Sequence, residues 1–352
     1  MPPWRPEPKI PVALLGATGM VGQEIARRLV IHPWFELIAV AASDDSAGLR
    51  YGAAARGGAG GLDAGLAQRP LVRCEPAEAF APVVFSALDA AAAREIEPRF
   101  ARAGALVVSN ASAFRMEPDV PLIVPEVNPE QLGLLAAQRR GLGWAGSIIC
   151  NPNCVAAIVG LVLAPLHRRW GLQAASVVTL QSASGAGYPG VAALDLMGNL
   201  IPHIQGEEEK IVAELEKVLG TGGCARVGAQ AHRVPVPFGH SAALSLGFEE
   251  DVSPESAAAE LGSWRGAPEA AGLPSLPEFP IVVTDLPDRP QARLDLWAGN
   301  GMAVTVGRLR RDPVLGLRCV VLGHNLIRGA AGGAIANAEL AIRSEIASLR
   351  SR

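Results

Sequence analysis

Val12-Ala13-Leu14-Leu15-Gly16-Ala17-Thr18-Gly19-Met20-Val21-Gly22 is the stretch whose reading decides the fold class. Its four apolar residues predict a buried strand, its glycines a tight turn, and the residues through about Val30 a helix. A second strand is expected over Phe35–Ala42. Strand, glycine turn, helix, strand is the opening unit of a doubly wound parallel sheet, in which glycines let the backbone approach a pyrophosphate at the helix N-terminus. The spacing here is GxxGxxG rather than GxGxxG, and a plain tight turn is the competing reading of the three glycines. Their place between a strand and a helix favours the nucleotide.

The alternation continues through a strand at Val83–Ser86, a helix near Ala90–Ala103 and a strand at Ala105–Ser109, which completes a Rossmann-like nucleotide-binding half. Gly57 to Gly65 reads as a surface loop, and the proline-rich Met1 to Pro11 as a short frayed arm without the apolar core of a secretory signal. After Cys154 the pattern shifts to longer strands, Ser176–Leu180, His232–Phe248 and Ala303–Leu309, interspersed with helices. An α+β domain on a mostly antiparallel sheet is expected there, with one sheet face as a dimer surface. The Ala-rich Ile327–Ser348 has helical spacing and is expected to return to the first domain. The α/β chain thus divides into a dinucleotide-binding domain, 1–153 completed by 326–352, and a catalytic and dimerisation domain, 154–325.

At 352 residues, two cores are the default. A net charge of -3 without any block of Lys and Arg makes no electrostatic case for nucleic acid or a membrane surface, so the expected partner is a small molecule. Five cysteines without CxxC spacing suggest neither a disulfide framework nor a zinc site, and fit a reducing cytoplasm. The strongest apolar run, Cys154 to Leu166, contains Pro165 and is too short to cross a bilayer; it reads as a core helix.

Asn151-Pro152-Asn153-Cys154 carries the chemistry. A thiol at a helix N-terminus faces unpaired amides and the positive end of the dipole, which lower its pKa and favour the thiolate; a buried structural cysteine is the alternative. His240 is the preferred acid-base candidate, because Gly239 before it allows a turn that exposes the ring; a satisfied core or surface histidine is the competing reading. Arg233 offers a planar fork for a carboxylate, with a surface ion pair as the competing and commoner reading. Glu207-Glu208-Glu209-Lys210 opens a helix whose dipole alone accounts for three acids. A narrower reading puts Glu207 and Lys210 on one face, as an amine acceptor beside an anion donor. Gln181 and Arg115 complete the candidates.

These motifs together resemble the aspartate-β-semialdehyde dehydrogenase family, most strongly its archaeal and fungal type branch, through nearly the whole chain. The carrying residues are GATGMVG from Gly16, SNASAFRMEPDVPLIVPEVN from Ser109, CNPNC from Cys150, QSASGAGYPGV from Gln181, IPHIQGEEEKI from Ile201, HRVPVPFGH from His232, DRPQARLD from Asp288, GNGMAV from Gly299 and HNLIRGAAGGAI from His324. The resemblance implies reductive dephosphorylation of L-aspartyl 4-phosphate, feeding lysine, threonine and methionine synthesis or a specialised pathway, with Cys154 as acyl-thioester nucleophile and His240 as acid-base residue. It implies Arg233 on the substrate α-carboxylate, Glu207 on its α-ammonium, Gln181 as its orienting group, and Arg115, Asn153 and Lys210 on the phosphate. Gly16, Thr18, Gly19, Met20, Val21, Asn325 and Gly329 would line NADP, with Ser43, Ser46 and Arg50 receiving its 2′-phosphate. Inorganic phosphate, no metal, and a homodimer or homotetramer are further implications.

Two departures stand out. Where the family usually shows Ser-x-Arg-Ser, this chain has Ser43-Asp44-Asp45-Ser46, and acids there suit a free ribose hydroxyl, so NAD stays possible. Val155-Ala156-Ala157 follows Cys154 where the family tends to have Ser or Thr. The competing functions are a related reductase of N-acetyl-glutamyl phosphate or malonyl-CoA, and a non-catalytic nucleotide-binding paralogue.

Overall fold

The computed structural model describes residues 5–55 and 61–350, with side chains through 345. Six strands form an all-parallel sheet: β1 (Ile10–Leu15), β2 (Phe35–Ala42), β3 (Val72–Arg73), β4 (Val83–Ser86), β5 (Leu106–Ser109) and β6 (Ser147–Cys150). Their order is β3-β2-β1-β4-β5-β6. Val12 to Leu15 and Val83 to Phe85 are fully buried. Such continuous apolar runs are what a parallel strand covered on both faces requires. The order reverses between β1 and β4, and beyond the carboxyl ends at such a switch point doubly wound sheets place their binding crevice.

Six further strands form the second sheet: β7 (Leu172–Gln181), β8 (Arg226–Arg233), β9 (His240–Phe248), β10 (Ile281–Thr284), β11 (Val304–Asp312) and β12 (Gly316–Gly323). The order is β10-β11-β12-β9-β7-β8. The three inner pairings are antiparallel and the two outer ones parallel. The doubly wound sheet joined to a mostly antiparallel one is the expected α/β architecture.

Several local expectations change. His232–Phe248 is two strands, because Val234 to Gly239 leaves the ladder before β9 begins. Ile10 and Pro11 belong to β1, so the arm is shorter than expected, and Met1 to Trp4 lie outside the described residues. Of the Gly57–Gly65 loop, residues 57–60 also lie outside them. Its last residues begin a helical turn, Ala64–Ala67, capped by Asp63, whose carboxylate accepts from the Gly65 and Leu66 amides.

The helix Cys154–Trp170 is buried throughout Val155 to Leu166 and ends at Gly171, which takes the left-handed conformation at φ 63°. It lies in one core with the second sheet and one face of the first. Against the other face pack Ile25 and Leu29 of the helix Met20–Val30, together with Ala334, Ile335, Ala338 and Leu340 of the closing helix Gly332–Arg350. No helix among the described residues is long and apolar enough to cross a membrane.

Candidate active site

Cys154 opens its helix one turn beyond β6. Asn153 caps that helix through Oδ1, which accepts from the Val155 amide at 2.8 Å and the Ala156 amide at 3.3 Å. The sequence favoured a thiolate here, and the structure reverses that. Although Cys154 keeps partial exposure, burial of its surroundings pushes the thiol up to about 12, the Glu207 carboxylate adds to the rise, and Arg115, the Val155 amide and Arg233 only partly oppose it. Desolvation of an anion outweighs one helix terminus. The Cβ position of Gly329 lies 2.4 Å from Cys154 Cβ, so only glycine fits against this cysteine.

Gln181 ends β7 beside Arg233, its parallel register partner at the end of β8, and His240 begins β9 across from Gly323. Sheet register therefore gathers three side chains from distant sequence. Gly239 does make the expected turn, at φ 94°, but the turn buries the His240 ring rather than exposing it, at 2% exposure. Burial and the Arg233 charge bring the imidazole down to about 3, so it is neutral at physiological pH. The Ser182 amide donates to Nδ1 at 3.1 Å, which assigns the ring proton to Nε2. Nε2 is buried without a hydrogen-bond partner among the described residues. The Cβ position of Gly185 lies 2.6 Å from Arg233 Nη1 and 3.0 Å from His240 Nε2, so guanidinium and imidazole flank one point. Arg233 Nη1 also donates to the Ser182 carbonyl at 2.8 Å.

Glu207 is buried, and its Oε1 accepts from Asn153 Nδ2 at 2.9 Å and Gln181 Nε2 at 3.0 Å. Lys210 does not share that environment. It stays exposed, with Nζ 4.0 Å from the Cβ position of Gly206. Arg115 is buried and donates to Glu214 at 3.0 Å and to the Asn110 carbonyl at 2.6 Å. Asn325, expected against a dinucleotide, uses its amide internally: Oδ1 accepts from the Gly239 amide and Nδ2 donates to Ser184 Oγ, both at 2.9 Å.

At the crevice between β1 and β4, Gly16 has φ 70° and a Cβ there would stand 2.6 Å from the Ala87 carbonyl oxygen; one on Gly22 would stand 2.3 Å from the Gly16 oxygen. Thr18, Gly19, Met20 and Val21 are half-exposed at the start of the helix Met20–Val30, where first-turn amides point outward. Such a cradle fits a dinucleotide pyrophosphate. Asp44, Asp45 and Ser46 form an exposed to half-exposed turn, in which the Ser46 amide donates to the Ser43 carbonyl at 2.9 Å. Arg50 is exposed and donates to Gln68.

A family model described as "Semialdehyde dehydrogenase, NAD binding domain" matches residues 11–135, and "Semialdehyde dehydrogenase, dimerisation domain" matches 163–328. The chain belongs to the semialdehyde dehydrogenase family. It is 47% identical over 343 residues to an aspartate-semialdehyde dehydrogenase of Archaeoglobus fulgidus, covering 95% of this chain and 98% of that one. A crystal structure of aspartate semialdehyde dehydrogenase with NADP from Candida albicans superposes with a TM-score of 0.86 at 39% identity, covering 94% and 98%. A malonyl CoA reductase (NADP) of Metallosphaera sedula is 36% identical over 343 residues, covering 94% and 96%.

Within this member of the family, the Val155-Ala156-Ala157 departure has a packing reason. All three residues are within the core, so a hydroxyl there would need a buried partner. Ser182 and Gly185 lay in a motif noticed in the sequence without a role. Glu214 carried no local signal at all, standing seven residues beyond Glu207 in an ordinary amphipathic helix.

Proposed function

We propose that the protein is an NADP-dependent aspartate-β-semialdehyde dehydrogenase, which reduces L-aspartyl 4-phosphate to the semialdehyde through a Cys154 thioester. The observation carrying this reading is the convergence of Arg233 Nη1 and His240 Nε2 beside Gly185, with Arg233 and Glu207 both acting on the Cys154 thiol. Residues 1–153 with 326–352 bind the dinucleotide, and 154–325 supply catalysis and the dimer surface.

Arg233 holds the α-carboxylate. Both internal bonds of Glu207 land on Oε1, which leaves Oε2 for the α-ammonium, and Gln181 fixes that carboxylate's direction. Arg115, with Asn153 and the exposed Lys210, receives the phosphate. Sulfur attacks the acyl carbon, the carbon–oxygen bond to phosphate breaks, and the thiol proton leaves on the phosphate as HPO₄²⁻. A bound nicotinamide supplies the hydride that makes the thioester a thiohemiacetal oxyanion. His240 Nε2–H donates a hydrogen bond to that oxygen as a neutral imidazole, a role its low pKa suits better than proton relay. The carbonyl re-forms, the thiolate leaves, and solvent returns its proton.

The cradle at Gly16 to Val21 holds the pyrophosphate, Gly329 and Asn325 border the nicotinamide end, and Ser43, Ser46 and Arg50 receive the 2′-phosphate. The named relative acting on malonyl-CoA supports a second reading, thioester reduction. A CoA thioester requires neither an ammonium partner nor a phosphate clamp, so buried Glu207 and Arg115 favour the first. The test is phosphate-dependent reduction of NADP or NAD by L-aspartate-β-semialdehyde, with malonyl-CoA and NADPH run beside it. Turnover of malonyl-CoA alone would replace the proposal.

A further inference from the structure

Glu214 lies two turns after Glu207 on the helix Glu207–Leu219, on the same buried face. It is 2% exposed, and its two oxygens serve different segments: Oε1 accepts from Arg115 Nη1 at 3.0 Å and Oε2 from the Asn153 amide at 2.5 Å. Glu207 holds the same Asn153 by its side-chain amide. One helix thus grips the residue before the nucleophile at two points. Asn153 in turn caps the helix that begins at Cys154.

A buried carboxylate in an apolar site is costly unless paired and hydrogen-bonded, and here both conditions are met by groups of the site itself. Its charge answers that of Arg115, while its geometry fixes the turn between β6 and Cys154. We propose that Glu214 is a positioning residue that holds the start of the nucleophile's helix and the Arg115 guanidinium in one register. This rests on the reading of Arg115 as a phosphate ligand.

Glu214→Gln keeps an acceptor for the Asn153 amide but sets a neutral group against Arg115. In the phosphate-dependent direction, the KM for phosphate should rise about ten- to a hundred-fold, the loss expected for one charge-assisted bond, while the KM for the semialdehyde stays within about twofold. Iodoacetamide alkylation of Cys154 supplies an independent readout. The charges acting on that thiol are Glu207, Arg115 and Arg233, with His240 neutral beside them. Arg115 displaced from Glu214 opposes the thiol's rise less, so the alkylation profile should move to higher pH in Glu214→Gln, and further in Arg115→Ala.

If both KM values rise together, Glu214 is merely structural and the inference fails. If the phosphate KM holds in Glu214→Gln but rises in Arg115→Ala, the inference fails and the Arg115 reading stands. If Arg115→Ala leaves the phosphate KM alone, the Arg115 reading fails, and an unmoved alkylation profile in Glu214→Gln then removes the inference too. Should Glu214→Gln not fold, Glu214→Asp, with the carboxylate withdrawn by one methylene, is read by the same outcomes.

Discussion

The Ser182 backbone amide donates to His240 Nδ1 at 3.1 Å, and this single bond decides what the imidazole can do. With Nδ1 accepting, Nε2 carries the only ring proton. Since the folded ring titrates at about 3, kcat/KM should show no imidazole inflection between about pH 5.5 and 8. A titration near the ordinary value of 6.5 would contradict the neutral-donor role. His240→Gln should lower kcat by about 10²- to 10³-fold, as removal of an oxyanion donor does. A folded value below the unfolded one contributes stability that is present above about 6.5 and lost as pH falls toward 3. Urea midpoints of His240→Gln should therefore fall less steeply with acid than those of the parent.

Cys154→Ala should abolish turnover, while Cys150→Ala, which alters a fully buried thiol in β6, should keep most of it. Because the free thiol titrates at about 12, alkylation in the ligand-free chain should keep accelerating from about pH 7 to 10. A plateau near neutrality would show a thiolate already formed.

Gly329 stands where a methyl group would overlap Cys154. Gly329→Ala should destabilise by about 1–3 kcal/mol through overpacking and displace the nucleophile. Chemical denaturation and kcat measured on the same variant check both, and unchanged kcat would mean that the contact is not part of the site.

Arg233→Lys keeps a charge and loses the fork. Apparent affinity for the semialdehyde should weaken about ten- to a hundred-fold, because a point charge cannot make two parallel bonds. Steady-state KM and kcat for the semialdehyde decide it, with unchanged kinetics removing the clamp assignment.

Asp44 and Asp45 are both exposed, so their repulsion of a 2′-phosphate is weakened by solvent and salt. NADP binding should persist with a modest preference over NAD, and Asp45→Arg should strengthen it. Fluorescence titration of both dinucleotides in both proteins is the check, and weaker NADP binding in the variant would overturn the reading.

Local chemistry in the sequence determined the parallel sheet, the glycine cradle and the position of the thiol, because buried runs, positive-φ turns and helix starts depend on residues within a few positions of one another. Val12–Leu15 with Gly16 and Asn153 with Cys154 are such cases. The family motifs carried His240, Arg233 and Glu207 into the candidate site. Tertiary structure alone decided their states: the cysteine is a thiol rather than a thiolate, the histidine is buried with its proton on Nε2, and Lys210 is exposed where Glu207 is buried. Only it revealed Glu214, whose partners lie 61 and 99 residues away. Desolvation and charge pairing depend on everything packed around a group, and in this fold those neighbours come from sheet register and from helices distant in sequence.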